Sequence, residues 1–284
     1  MNFRNVVSRT TVGALAFAAL ITGQTPGIAG AQHAPDAIVG GLEALPFAHT
    51  PQSELVPENN THTTENGAQF VLYGLKTDAG EVHCSGVSLG ANQFLTSQHC
   101  TDAVESFDDI TLFADPEANV EHVADVPDVD AAVVTLDTDV FAADCVQVSE
   151  EPVEPAETLD LYTVDVSSGG VHEEQLRVEQ TDYVGKNADL GVVSHDLIRA
   201  SAMDGSPTRP GDSGSPVFRK DSRGEYVLAG IVVGVSKSLG DVIVQPIAHI
   251  AGNILDECAC CTPADPHAGG QCERPTTSPT TSPR

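Results

Sequence analysis

The chain has 284 residues, 40% of them apolar and none of them Trp, with 13 Lys plus Arg against 41 Asp plus Glu for a formal net charge of −28. That length suffices for one large all-β domain or two average ones, each with a real core. So negative a field excludes nucleic acid, whose phosphates need Lys and Arg to displace counterions, and anionic membrane surfaces. The acidity is lopsided, with 23 carboxylates against the single cation Arg177 between residues 101 and 185, and it reads as a solvated face rather than a binding site.

In chain order, Arg4 and Arg9, an apolar run over 12–21 and the small residues Ala29-Gly30-Ala31 make residues 1–31 a secretory signal peptide. The run is too short to hold a chain in a bilayer, and no later stretch approaches the ~18 consecutive apolar residues of a spanning helix. The expected product is exported, extracellular and without a membrane anchor. Residues 43–67, polar and rich in Asn and Thr, read as an exposed loop. Beyond them short apolar runs are cut by Gly, Pro, Asn and Asp roughly every ten residues, as an all-β sandwich or barrel requires. Strands are expected at 69–75, 87–89, 94–96, 131–136, 159–166, 197–200, 216–218, 226–235 and 242–246. Ile247, Ile250, Ala251 and Ile254 then fall at i, i+3, i+4 and i+7, predicting a short closing helix over 247–260. The end of the chain, 276–284, is almost wholly Thr, Ser and Pro and cannot bury apolar area. Export makes disulfides the default for Cys84, Cys100, Cys145, Cys258, Cys260, Cys261 and Cys272, and the odd count leaves one thiol over.

The strongest chemical signal is Gly211-Asp212-Ser213-Gly214-Ser215-Pro216. Glycines on both sides of a Ser permit a tight turn that exposes the hydroxyl while N–H groups converge on one spot. Such a turn can serve as nucleophile and oxyanion hole together, through the N–H groups of Gly211 and Ser213. A serine hydroxyl needs a base. Of ten histidines, His99 stands out at the end of the apolar stretch 94–96, with Cys100 beside it and Cys84 sixteen residues earlier as the matching half-cystine. A loop stapled in that way holds a base in place. Asp130, at the mouth of the 131–136 run, can accept the second ring N–H of His99, with Asp125 and Asp128 as rivals.

Ile38-Val39-Gly40-Gly41, Cys84-Ser85-Gly86, Leu95-Thr96-Ser97-Gln98-His99-Cys100, Asp130-Ala131-Ala132-Val133 and Gly211-Asp212-Ser213-Gly214 together resemble the chymotrypsin/trypsin-like serine endopeptidases, in the order His, Asp, Ser. The resemblance covers about residues 38–257. It implies two six-stranded antiparallel β-barrels with the active site in the cleft between them, His99 as general base, Asp130 as its orienting carboxylate and Ser213 as nucleophile. It also implies that cleavage after Ala37 removes a short propeptide, 32–37, and that the new ammonium of Ile38 pairs with Asp212 to order the oxyanion hole. Polypeptides are the implied substrates, with no cofactor and no metal.

The chain departs from the family's trypsin pattern at the specificity pocket. Pro207 stands where trypsin keeps an Asp, Arg209 stands where a bracing Cys is usual, and Val235 and Val242 are bulky pocket-wall residues. An uncharged, partly filled pocket favours small apolar side chains, as in elastases. Cys145 is matched to one of Cys258, Cys260 or Cys261. The spacing of the C-terminal cysteines around His267 fits disulfides better than a structural zinc. The competing reading from another class is a catalytically silent relative that binds or scaffolds. An esterase-type hydrolase is disfavoured, because Ser215 stands where a Gly-x-Ser-x-Gly elbow needs its last Gly.

Overall fold

The computed structural model describes residues 36–39, 69–77, 80–141, 146–165, 170–187, 193–205, 208–209, 211–252 and 254. The signal peptide, Gly40 and Gly41, Cys145, Pro207, and Cys258 with everything after it lie outside the described residues. Regular secondary structure among the described residues is almost entirely β, and none of their helices is long and apolar enough to cross a membrane.

The first sheet has six strands: β2 (Phe70–Thr77), β3 (Gly80–Gly90), β4 (Gln93–Thr96), β5 (Ile110–Leu112), β6 (Val120–Asp125) and β7 (Ala132–Leu136). Their order is β5-β2-β3-β4-β7-β6, and all pairings are antiparallel. The second contains β8 (Thr158–Asp165), β9 (Gly170–Asn187), β10 (Val193–Ala202), β11 (Pro216–Lys220), β12 (Tyr226–Ser236) and β13 (Val242–Pro246). Pairing of β12 with β13 closes these six into a ring, to which a short β1 (Asp36–Val39) adds between β9 and β12. The all-β, chymotrypsin-like architecture expected from the sequence is present; of the two six-stranded barrels expected, the second sheet closes on itself, while the pairings of the first leave β5 and β6 as its edges.

Alternation explains the two cores. Val71, Tyr73, Leu75, Val134 and Leu136 turn inward in the first sheet, and Leu159, Leu161, Leu176, Val178, Ile198 and Val232 in the second. Opposite faces of the same strands supply a third cluster, where Val87, Leu89, Leu95 and Val133 of one sheet meet Phe218, Leu228, Ile231 and Ile243 of the other. The closing segment packs there as its spacing predicts. Ile247, Ile250, Ala251 and Ile254 are all buried, and the Ile254 N–H donates to the Ile250 carbonyl at 3.0 Å. Fully burying such side chains stabilises by roughly 1.5–3 kcal/mol each, so this shared cluster is what welds the two sheets.

Candidate active site

Ser213 sits in the turn between β10 and β11, where Gly211 (φ +100°) and Gly214 (φ +85°) take left-handed backbone and Ser213 itself is buried. Within the turn the Asp212 N–H donates to Arg209 O at 3.1 Å and the Ser215 N–H to Asp212 O at 2.9 Å. β12 holds it from one side, with Gly214 N–H donating to Val232 O at 2.7 Å and Val232 N–H to Ser215 O at 2.9 Å.

The first sheet holds the turn from the other side. Ser85 N–H donates to Ser213 O at 2.8 Å, the Ser85 hydroxyl to Gly211 O at 2.8 Å, and the Ser97 hydroxyl to Val232 O at 2.9 Å. Contact is so close that a Cβ on Gly214 would lie 1.9 Å from Ser85 O and 2.5 Å from Thr96 Oγ1. Only glycine satisfies both the left-handed φ and that approach. Thr96 gives its hydroxyl hydrogen to Ser85 O at 2.7 Å and therefore accepts from the Tyr73 hydroxyl at 2.6 Å. Burial pushes the Tyr73 phenol far up, so it remains a donor at any physiological pH.

His99 lies three residues beyond β4 in the single-turn helix α1 (Gln98–Thr101) and is 1% exposed. The Cys84–Cys100 disulfide, expected from the spacing, is formed and ties that turn to β3. Asp130 enters β7 from the turn after β6 and grips His99 twice. The ring Nδ1–H donates to Oδ2 at 2.8 Å and the backbone N–H to Oδ1 at 2.9 Å. Of the three carboxylates the sequence offered, the fold brings Asp130 to His99, while Asp125 ends β6 exposed and Asp128 is exposed at φ +64° in the intervening turn. With Nδ1 carrying the hydrogen, Nε2 is the basic nitrogen. Among the described histidines only His83 is also buried, stacked 5.3 Å from Phe113, and burial lowers its pKa.

At Asp212 the effect of burial outweighs the hydrogen bond and the charge of Arg209. Asp212 is buried, its Oδ2 accepts the Arg209 N–H at 2.6 Å, and burial pushes its carboxyl up to about 6. Nearby Glu174 is pushed up to about 7, first by burial and then by a hydrogen bond and charge from Asp204, with Arg209 opposing. Ile38, the other expected member of the pair with Asp212, lies in β1 opposite Ser236 of β12 and Asn187 of β9. Of the two residues expected at the pocket wall, Val235 is half-buried on β12, whereas Val242 packs in the second sheet's core cluster.

Sequence reasoning quoted Ser85, Ser97 and Thr96 inside motifs but gave them no task. Each is a small polar residue beside an apolar strand end, and their cross-sheet bonds become visible only once the sheets meet.

The family model described as Trypsin matches residues 59–250. The chain belongs to the trypsin family. Ile38 and its neighbours precede the matched region, while His99, Asp130 and Ser213 lie inside it. No curated protein matches the chain. Among solved structures, the trypsin-family fold here is similar to the active form of the Rv3671c protease of M. tuberculosis (TM-score 0.54, 18% identity, 81% of this chain and 99% of that one). It is similar to two scabies mite inactivated protease paralogues as well. S-I1 has TM-score 0.51 and 16% identity over 66% of this chain and 92% of that one, and S-D1 has TM-score 0.50 and 15% identity over 66% and 90%. At such identities the likeness is one of fold.

Proposed function

We propose that the chain is an exported serine endopeptidase. His99 is the general base, Asp130 fixes its tautomer and stabilises the imidazolium, and Ser213 attacks the scissile carbonyl to form an acyl-enzyme. The N–H groups of Gly211 and Ser213 receive the oxyanion. The observation that carries this reading is the buried double grip of Asp130 on His99, at 2.8 and 2.9 Å. Holding an imidazole by both its ring N–H and its own backbone N–H serves little structural purpose that one bond would not, and it presents Nε2 for proton transfer.

Activation follows from the electrostatics of Asp212. The charge of Arg209 offsets the burial of Asp212 only in part, and cleavage after Ala37 supplies a further cation, the ammonium of Ile38. Specificity follows from the sequence at the positions expected to form the pocket, where Pro207 and Val235 are uncharged and favour small apolar residues before the scissile bond. The fold is shared with inactivated paralogues as well as with an active protease, so a silent relative is the second reading. A serine-directed covalent inhibitor separates them. Intact mass should show one adduct on the processed wild type and none on Ser213→Ala, and a wild type without adduct would establish the silent reading.

A further inference from the structure

The helix that carries His99 opens with a serine whose hydroxyl does not cap it. Ser97 precedes α1 with extended backbone (φ −76°, ψ 136°), and its carbonyl already accepts the Cys100 N–H at 3.1 Å. At such a position a Ser hydroxyl ordinarily accepts a backbone N–H of the first turn, and here it makes no such bond. Fully buried, it donates instead across the seam between the sheets, to Val232 O at 2.9 Å and 135 residues away. Its neighbours keep their hydroxyls at home. Thr96 donates to Ser85 O within the first sheet at 2.7 Å, and Thr101 donates to Gln98 O within α1 at 2.9 Å.

Val232 O is a shared acceptor. It receives the Gly214 N–H at 2.7 Å as well as the Ser97 hydroxyl, so two hydrogen bonds on one oxygen join the helix of His99 to the residue that follows Ser213. A second connection runs elsewhere, where Ser85 N–H donates to Ser213 O at 2.8 Å and Cys84, beside Ser85, is bridged to Cys100, beside His99. A single connection between two bodies fixes a separation and leaves a pivot; a second one fixes the angle. Asp130 does not supply that angle, because both of its bonds are to His99 itself and set the ring against its own backbone.

We propose that Ser97 is a positioning residue, whose hydroxyl aims the His99 imidazole at Ser213 through the carbonyl of Val232; the task rests on the endopeptidase reading. Tautomer and aim are then set by different groups, Asp130 for the first and Ser97 for the second. Removing the Ser97 hydroxyl leaves Val232 O with the Gly214 N–H, so no buried polar group is orphaned and the fold loses little. The rate is more sensitive, because a base that swings by a fraction of an ångström to 1 Å loses up to about 100-fold.

The test labels Ser213 of processed protein with a fluorophosphonate over a range of reagent concentrations, which separates the maximal rate from the half-saturating concentration. Ser97→Ala should lower the maximal rate by about 10–100-fold and leave the half-saturating concentration unchanged, with a Tm loss of only about 2–4 °C. The midpoint of its pH profile should stay in place, because Asp130 still holds the ring. Ser97→Thr, which keeps the donor, should restore the rate to within about threefold, and Thr101→Ala, which removes a hydroxyl that bonds only within α1, should leave it within the same margin. In uncut Ser213→Ala protein, Ser97→Ala should shift the amide proton resonance of Gly214, whose acceptor it alters, and Thr101→Ala should not; this reading needs no activity and stands in if the extra methyl of Ser97→Thr prevents folding. An undiminished rate in Ser97→Ala, an equal loss in Thr101→Ala, a loss confined to the half-saturating concentration, a moved pH midpoint, a folded Ser97→Thr without rescue, or an unmoved Gly214 resonance would each overturn the proposal. A wild type that never labels removes the endopeptidase reading and the task with it, even where the Gly214 shift shows the connection; a wild type that labels no faster than Ser97→Ala removes this proposal alone.

Discussion

Gly214→Ala tests how tightly the two sheets clamp the Ser213 turn. The substitution carries two costs that can be separated. Holding Ala at φ +85° costs about 1–2 kcal/mol. The added Cβ also meets Ser85 O at 1.9 Å and Thr96 Oγ1 at 2.5 Å, and the first of these is backbone that already accepts from Thr96. Opening that contact to a tolerable ~3 Å moves the turn by about 1 Å and breaks at least the Ser85–Ser213 and Thr96–Ser85 hydrogen bonds, at roughly 1 kcal/mol each. The total is about 3–4 kcal/mol, or about 6–16 °C in Tm for a domain of this size. Gly224, at φ +84° with nothing within 4 Å of its built Cβ, is the control, and Gly224→Ala should show the backbone cost alone. A 1 Å displacement of a nucleophile costs on the order of 100-fold in rate, so covalent labelling of Ser213 should slow by about that factor in Gly214→Ala and stay unchanged in Gly224→Ala. Melting curves and labelling rates measured side by side decide the matter. Equal melting losses in the two variants, or undiminished labelling in Gly214→Ala, would refute the clamp.

Asp130→Asn should lower labelling of Ser213 in processed protein by about 10³–10⁴-fold with little loss of fold, because an amide cannot enforce the Nδ1–H tautomer; a loss under tenfold refutes the assigned role. In uncut Ser213→Ala protein, burial raises the Asp212 carboxyl from its ordinary 3.8 to about 6, so the folded state favours the protonated form. Its contribution is full below pH 3.8 and fades as pH climbs to about 6, so the stability gained by Asp212→Asn should grow by about 2–3 kcal/mol between pH 4 and 6.5 and then level off, as urea midpoints will report; a pH-independent difference counts against it. Replacing Cys84 and Cys100 by Ala opens a 16-residue loop and should cost about 3 kcal/mol while slowing labelling, since the same bridge holds the helical turn of His99; a double variant that melts later than wild type contradicts this.

What could be read in advance divides along physical lines. Strands with one face in a core announced themselves by apolar alternation, as β2, β7, β12 and β13 did, and the closing turn of Ile247, Ile250 and Ile254 announced itself by helical spacing. β9 did not, because its 18 residues carry the acidic coat. Leu176 and Val178 turn inward between the exposed Gln175, Arg177 and Glu179, and that thin alternation is drowned by charge. β6 and β5 were hidden for another reason. They are the edges of the first sheet, and β6 is only half-buried, so neither needs an apolar run. At the site, His99, Asp130 and Ser213 were legible because each sits in a local pattern that its chemistry demands. The groups that hold them were not: Ser85 to Gly211 spans 126 residues and Ser97 to Val232 spans 135, and no window of sequence contains both ends.

Ile38 shows most clearly why the remainder stayed hidden. As sequence it is one of many β-branched residues and acquires meaning only from a family pattern. In the fold it carries two separable demands. Its side chain fits a space that exists because residue 185 has no Cβ, and in the activation proposed above its freed nitrogen is the cation that pairs with Asp212. A residue chosen for that space alone could be Val or Leu with modest repacking, and one chosen for the ammonium alone could be almost any residue, since every new N-terminus carries the same charge. Only the two together tie the identity of residue 38 to the position of the cut. Ile38→Gly therefore separates them. Processed Ile38→Gly should still neutralise Asp212 and label at Ser213 at close to the wild-type rate, while the uncut variant should already expose the Lys237 amide, which donates to Ala37 O of β1 at 2.9 Å. Wild-type protection of that amide in uncut Ile38→Gly would mean that backbone pairing alone holds β1, and that the side chain is a passenger.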